Sequence, residues 1–195
     1  MNFLAHLYLS GDDEGLMTGN MLADFRKGTK HIDFPERVQS GICLHQAIDE
    51  FTDAHPLVEH TKQLLRPQFH HFSPVIADVF YDHFLAREWA DYSDVSLKEF
   101  SKKCYRVLTD NREFFPARLK RFLFFMRLEN LFVSYGSIKG INRVLYGMST
   151  RTRYGQCLQF AADELSRNYD LYRSDFTQFM KDVIPFAEEE RAKLS

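Results

Sequence analysis

Apolar residues along this chain recur at three- and four-residue intervals, the period of one face of an α-helix. No Asn-Gly or Asp-Gly turn separates runs of alternating polarity, so hairpins are not indicated. Residues 2–10 read as a short apolar helix ended by the Ser10-Gly-Asp-Asp-Glu-Gly turn, and residues 16–27 as a second helix closed by Gly28. Pro35 suits a first helical residue, and Val38, Ile42, Ala47/Ile48 and Phe51 keep helical spacing as far as His55-Pro56. A short helix over 57–65 stops at Pro67. Ser73-Pro74, an N-cap followed by a first-turn proline, opens a helix to about Trp89, and Ser96 opens another to about Thr109. Pro116 starts the aromatic stretch 122–132, and Ser137 a short helix to Tyr146. The tail reads as one long helix over about 156–173 and a final one interrupted near Pro185. The pattern predicts an all-α fold, a single-domain helical bundle of about eight to ten helices over 1–195, without repeats or low-complexity segments.

Composition agrees. The chain has 19 Phe, 9 Tyr and 21 Leu but only 16 Val plus Ile, too few β-branched residues for a large sheet. A 45% hydrophobic and 27% charged composition excludes intrinsic disorder. The longest uninterrupted apolar stretch, 122–126, is far short of the ~20 residues of a membrane helix. The opening MNFLAHLYLS has no basic leader, and His6 interrupts its apolar run, so a cytoplasmic protein with no membrane partner is expected. Cys43, Cys104 and Cys157 stand alone, giving neither a disulfide framework nor a paired zinc motif, and are expected to be buried or half-buried.

Charge changes the picture. A net charge of −2 hides 15 acids against 7 bases in 1–97, and 13 bases against 4 acids in 98–153. All eight histidines lie at or before His83. Metal-ligand and acid–base side chains thus concentrate in one half and cations in the middle, which suits an anionic partner or, more plainly, a solvated helix face. Lys98, Lys102 and Arg106 follow at four-residue spacing, with Lys103 beside them. No helix-turn-helix or RNA-binding motif accompanies them, so nucleic acid is not expected. Phosphate-binding glycine loops and a Gly-x-Ser-x-Gly elbow are also absent.

Residues four apart on a helix are rotated by only about 40° and share a face. His45, Asp49 and Asp53 form one such row, Asp78 and Asp82 another with His83 following, and Asn20 and Asp24 a third; His6 lies on an otherwise apolar helix. Singly, each has a structural reading: an exposed pair, a helix end, a satisfied core histidine. Recurrence on three helices points to a divalent first-row metal on a helical scaffold, because buried carboxylates need a partner and imidazole with carboxylate is its ligand chemistry.

The motifs Met-Asn-Phe-Leu-Ala-His6-Leu, Gly19-Asn20-Met-Leu-Ala-Asp24-Phe, His45-x-x-Ile-Asp49-x-x-Thr-Asp53 and Asp78-x-x-x-Asp82-His83-Phe-Leu resemble the bacterial acyl carrier protein phosphodiesterase family. The likeness continues through Gly147-Met-Ser into the tail and covers nearly the whole chain. It implies hydrolysis of holo-acyl carrier protein to the apo form and 4′-phosphopantetheine, with manganese as the usual activator and a fold similar to HD-type metal-dependent phosphohydrolases. The adjacent pair here reads Asp82-His83, the reverse of the HD order. Family motifs and spacing together nominate His6, Asp24, His45, Asp49, Asp82 and His83 as ligands, and Asp53 and Asp78 for proton transfer or ligand support. Lys98, Lys102, Lys103 and Arg106 would dock the acidic carrier. The alternatives are a nucleotide phosphohydrolase on the same scaffold and a non-catalytic helical module that binds an acidic protein.

Overall fold

A computed structural model describes residues 2–26 and 33–194. Helices α1 (Phe3–Leu9), α2 (Glu14–Ala23), α3 (Glu36–Ala54), α4 (Pro56–Phe69) and α5 (Ser73–Arg87) are followed by α6 (Leu97–Asp110), α7 (Ala117–Leu128), α8 (Leu131–Ser134), α9 (Ile138–Ser149), α10 (Ala161–Arg167) and α11 (Tyr169–Lys193). Ten of these have seven residues or more, and the described residues contain no strand. The protein is one all-α domain.

Helix α5 is its axis. Val79, Phe80, Tyr81, Phe84 and Leu85 are buried around its circumference, as expected of a helix apolar on all sides. It packs against α1, α4, α9 and α11. On the α11 side the contact is aromatic: Tyr81 and Phe84 meet Phe176 at ring-centroid distances of 5.6 and 5.5 Å, and Phe80 meets Tyr172 at 5.2 Å. Edge and offset ring pairs of this kind add to the area they bury.

Helices α2 and α3 approach unusually closely because glycines meet at their crossing. A Cβ on Gly19 would sit 2.0 Å from the Val38 carbonyl oxygen, and one on Gly41 would sit 2.4 Å from that of Leu16. Only residues without a side chain allow these backbones to touch.

Several starts match their sequence signals. Ser96 and Glu99 form a complete capping box at α6, and the Ser137 hydroxyl caps α9 by accepting from the Gly140 N–H. Other boundaries need correction. Helix α4 runs through Pro67 to Phe69, and α11 runs uninterrupted through Pro185. Both prolines are exposed, so water can satisfy the carbonyl each leaves without a donor. The expected helix over 156–173 breaks at Asn168, whose amide donates to Glu164 Oε1 at 2.7 Å, and it begins as a 3-10 segment, Gly155–Phe160. Asn130, at φ 47°, separates α7 from the single turn α8; asparagine tolerates this left-handed region better than most residues. Ser73 does not cap α5 but lies within it, donating to the His70 carbonyl. Cys43 is exposed, whereas Cys104 is buried and Cys157 half-buried. The Gly28 stop lies outside the described residues. Among the described residues, no helix is long and apolar enough to cross a membrane.

Candidate metal centre

The glycine contact decides what faces what. Gly41 lies one turn before His45 on α3, and Gly19 directly precedes Asn20 on α2, with Asp24 at that helix's C-terminal cap. Bringing the glycines together therefore sets His45 against Asn20 and Asp24. Helix α1 supplies His6 from above, and its ring stacks on His45 at a centroid distance of 4.1 Å and an interplanar angle of 22°.

Four side chains converge. Asp49 places Oδ1 3.1 Å from His6 Nε2 and Oδ2 3.0 Å from His45 Nε2, while Asp24 Oδ1 lies 3.4 Å from the same His45 nitrogen. The two imidazoles are buried, with side-chain exposures of 4% and 7%, while Asp49 and Asp24 are 42% and 48% exposed. The floor is thus imidazole, and the rim is carboxylate open to solvent.

Hydrogen bonding from behind fixes the tautomer. Asn20 Nδ2 donates to the His6 carbonyl and to Ser10 Oγ, both at 3.0 Å, so its Oδ1 is the atom turned to His45. His45 Nδ1 donates to that oxygen at 2.9 Å, which leaves a lone pair on Nε2 of the neutral ring. That lone pair faces two carboxylates, and His6 Nε2 stands beside them without an aligned hydrogen bond although it is buried. Acceptors gathered in this way require a cation between them, either a proton or a metal. The residues fit a divalent ion: one ligand atom each from His6, His45 and Asp49 lies within 4.8 Å of the others, and Asp24 adjoins them. Asn20 stands where the partner that orients a metal-ligating histidine would stand.

Protonation reflects the same crowding. Burial opposes charge on His45, but its hydrogen bonds to Asp24 and Asp49 outweigh that and raise its pKa to about 9. Burial also opposes charge on Asp49, and there the two imidazoles hold the carboxyl well below its usual range. His6 is pushed down to about 4, chiefly by burial, and is neutral at pH 7.

The other expected ligands have different partners. Asp82 is fully buried on α5, where Oδ2 accepts from the Leu4 N–H at 2.9 Å and Oδ1 from the Ala5 N–H at 3.0 Å. Its carboxyl group clamps the first turn of α1, the helix that carries His6. Burial raises its pKa to about 7 against the pull of those two N–H groups. His83 is fixed in the core: Nδ1 donates to the Tyr135 carbonyl at 2.7 Å, and Nε2 accepts from the Tyr169 hydroxyl at 3.0 Å. The structure therefore assembles His6, Asp24, His45 and Asp49 and gives Asp82 and His83 other partners. Asp53 is 77% exposed and bound to Lys62 Nζ at 2.7 Å, outside the cluster. Asp78 is half-buried one turn before Asp82; burial raises its pKa, and the charge on Asp49 adds to the effect. Asn20 shared the four-residue row with Asp24, but the role of Ser10 had no signal in the sequence.

In the basic segment, Lys103 Nζ is 2.6 Å from Asp12 and Arg106 Nη2 is 3.3 Å from Glu14, so these two are tied to the start of α2. Lys98 and Lys102 remain on the exposed face of α6.

Residues 1–183 match the family described as acyl carrier protein phosphodiesterase. Curated proteins of that name are similar along nearly their whole length. One from Klebsiella pneumoniae is 32% identical over 192 residues, 98% of this chain and all of its own. Those from an Enterobacter species and from Escherichia coli are each 35% identical, covering 92% of this chain and 93% of their own. No solved structure matches the chain.

Proposed function

The chain belongs to the acyl carrier protein phosphodiesterase family and is a phosphodiester hydrolase, and from this premise we propose that it cleaves 4′-phosphopantetheine from the serine of holo-acyl carrier protein with a divalent metal, most simply manganese, held by His6, His45, Asp24 and Asp49. The observation that supports this reading is the convergence of two buried imidazoles and two solvent-facing carboxylates, their ligand atoms close enough to share one ion. A divalent ion held by these four side chains would supply charge to screen the phosphodiester oxygens and would lower the pKa of a bound water.

The chain's own residues do the rest. Asn20 holds His45 in the tautomer whose Nε2 faces the site, and Asp82 fixes the α1 turn from which His6 projects. The exposed edges of Asp24 and Asp49 leave one side open, so a phosphodiester borne on a large carrier can approach. The departing serine oxygen needs a proton. Asp78 is our candidate donor: burial favours its protonated form, and it lies on the element packed against α1. Substrate and enzyme meet in the cytoplasm.

Mass spectrometry of purified holo-carrier incubated with the protein tests the reading. Apo-carrier and free 4′-phosphopantetheine should appear with manganese and fail to appear with EDTA. Unchanged holo-carrier with the metal-loaded protein, or equal turnover in EDTA, overturns it.

A further inference from the structure

The scissile phosphodiester is attached directly to the carrier's serine, so the body of the carrier must press against the rim of the metal centre. Helix α7 borders that rim. Phe122 packs on Phe3 and Phe25 at centroid distances of 4.9 and 5.6 Å, and the Arg118 guanidinium lies 5.6 Å above the Phe25 ring. Phe3 is three residues before His6, and Phe25 directly follows Asp24.

The other side of α7 forms an open groove with α6. Two adjoining hollows of about 600 and 570 Å³ share Thr109 and Arg127 and run between the helices. Their cations are Lys98, Lys102, Arg106, Arg112, Lys120 and Arg127; among the lining residues the acid is Asp110. Among the described residues, Arg106 is the one of the six that forms a salt bridge, with Glu14. On α7, Phe124, Phe125 and Leu128 are 63, 55 and 66% exposed, although an amphipathic helix normally turns such residues inward. Cations around protruding apolar side chains are complementary to an acidic, amphipathic protein segment.

We propose that the α6–α7 groove, with Phe124 and Leu128 as apolar anchors and Lys98, Lys102, Lys120 and Arg127 as the charged border, docks the acidic carrier protein and presents its serine to the metal centre across α7. The inference rests on the phosphodiesterase reading above. It leaves Lys103 and Arg106, whose salt bridges hold α6 to α2, out of the charged border.

The test uses two double variants of the full chain, Phe124→Ser/Leu128→Ser and Lys102→Glu/Lys120→Glu, all four positions being exposed. Affinity for holo-carrier is measured in EDTA to prevent turnover, and kcat/KM with manganese is compared between holo-carrier and bis(p-nitrophenyl) phosphate. Removing two anchors should weaken carrier binding roughly tenfold or more and lower the carrier-to-small-diester ratio of kcat/KM by a similar factor. Charge reversal should do the same and flatten the salt dependence. The proposal is overturned if carrier affinity stays within about twofold of wild type in both variants, or if both substrates lose activity equally. It is also overturned if the wild type dimerises through α7 and the anchor variant turns monomeric while still binding carrier as tightly. Wild type that binds carrier through this groove but never cleaves it would refute the phosphodiesterase reading and leave the docking surface standing.

Discussion

Gly19→Ala is the most informative small change, because it places one methyl group at the contact that assembles the candidate metal centre. The new Cβ would lie 2.0 Å from the Val38 carbonyl oxygen, whereas ordinary contact begins at 3.4 Å, so the helices must separate by about 1.4 Å. The obstruction is backbone on both sides and cannot rotate away. Alanine gains about 1 kcal/mol over glycine in a helix, while overpacking of this kind costs about 1–3 kcal/mol. At the upper end the variant is less stable by about 2 kcal/mol, a fall of about 4–8 °C in Tm for a chain of this size. Function should suffer more. His45 lies on one side of the crossing, Asn20 and Asp24 on the other, and a displacement of about 1 Å costs on the order of 100-fold in positioned chemistry. Thermal unfolding, manganese titration and carrier hydrolysis together should show a folded protein with a modest Tm loss and a disproportionate loss of metal affinity and rate. Gly147→Ala is the control: its new Cβ meets only the tip of the flexible Arg151 side chain, at 3.0 Å, and it should be neutral or stabilising by up to about 1 kcal/mol. Wild-type Tm and metal affinity in Gly19→Ala would refute the reasoning.

Asp82→Ala should destabilise the fold by about 1–3 kcal/mol for each of the two buried N–H groups it strands, measured by urea unfolding, and should weaken metal binding through His6; full stability with activity alone lost would return Asp82 to the ligands. The Asp82 pKa is about 7 folded against about 3.9 unfolded, so its contribution to stability is complete below about pH 4 and lost as pH rises through 7. Wild-type urea midpoints should therefore fall from pH 5 to 8 relative to Asp82→Asn, and a constant difference would contradict this. His45 carries a proton up to about pH 9, so metal must displace it: calorimetry in buffers of different ionisation enthalpy should show release of about one proton per ion at pH 7. Metal affinity should rise with pH as far as about 9, and binding without proton release would place the ion elsewhere.

The helices were readable because local chemistry marks them: Ser96 with Glu99, Ser137, and apolar residues repeating at helical spacing. Pro67 and Pro185 misled because their consequence depends on exposure, which is a tertiary property. The break at Asn168 depends on its side-chain bond to Glu164, and the break at Asn130 on a left-handed residue; neither has a one-residue signal. At the site, residue type and spacing nominated the ligands, but convergence came from Gly19 and Gly41, which in a helix read only as weak formers. Asp82 and Asp49 look alike in sequence. One faces the N-terminus of a helix and the other faces two imidazoles, and only the packing of α1 on α5 and of α2 on α3 tells them apart.

The central claim is where the ion sits. Crystals soaked in manganese and measured at its absorption edge should show one anomalous peak among His6, His45 Nε2, Asp24 and Asp49, absent from crystals of Asp49→Ala. A peak at Asp82 or His83, or none at the four-residue cluster, would contradict the account.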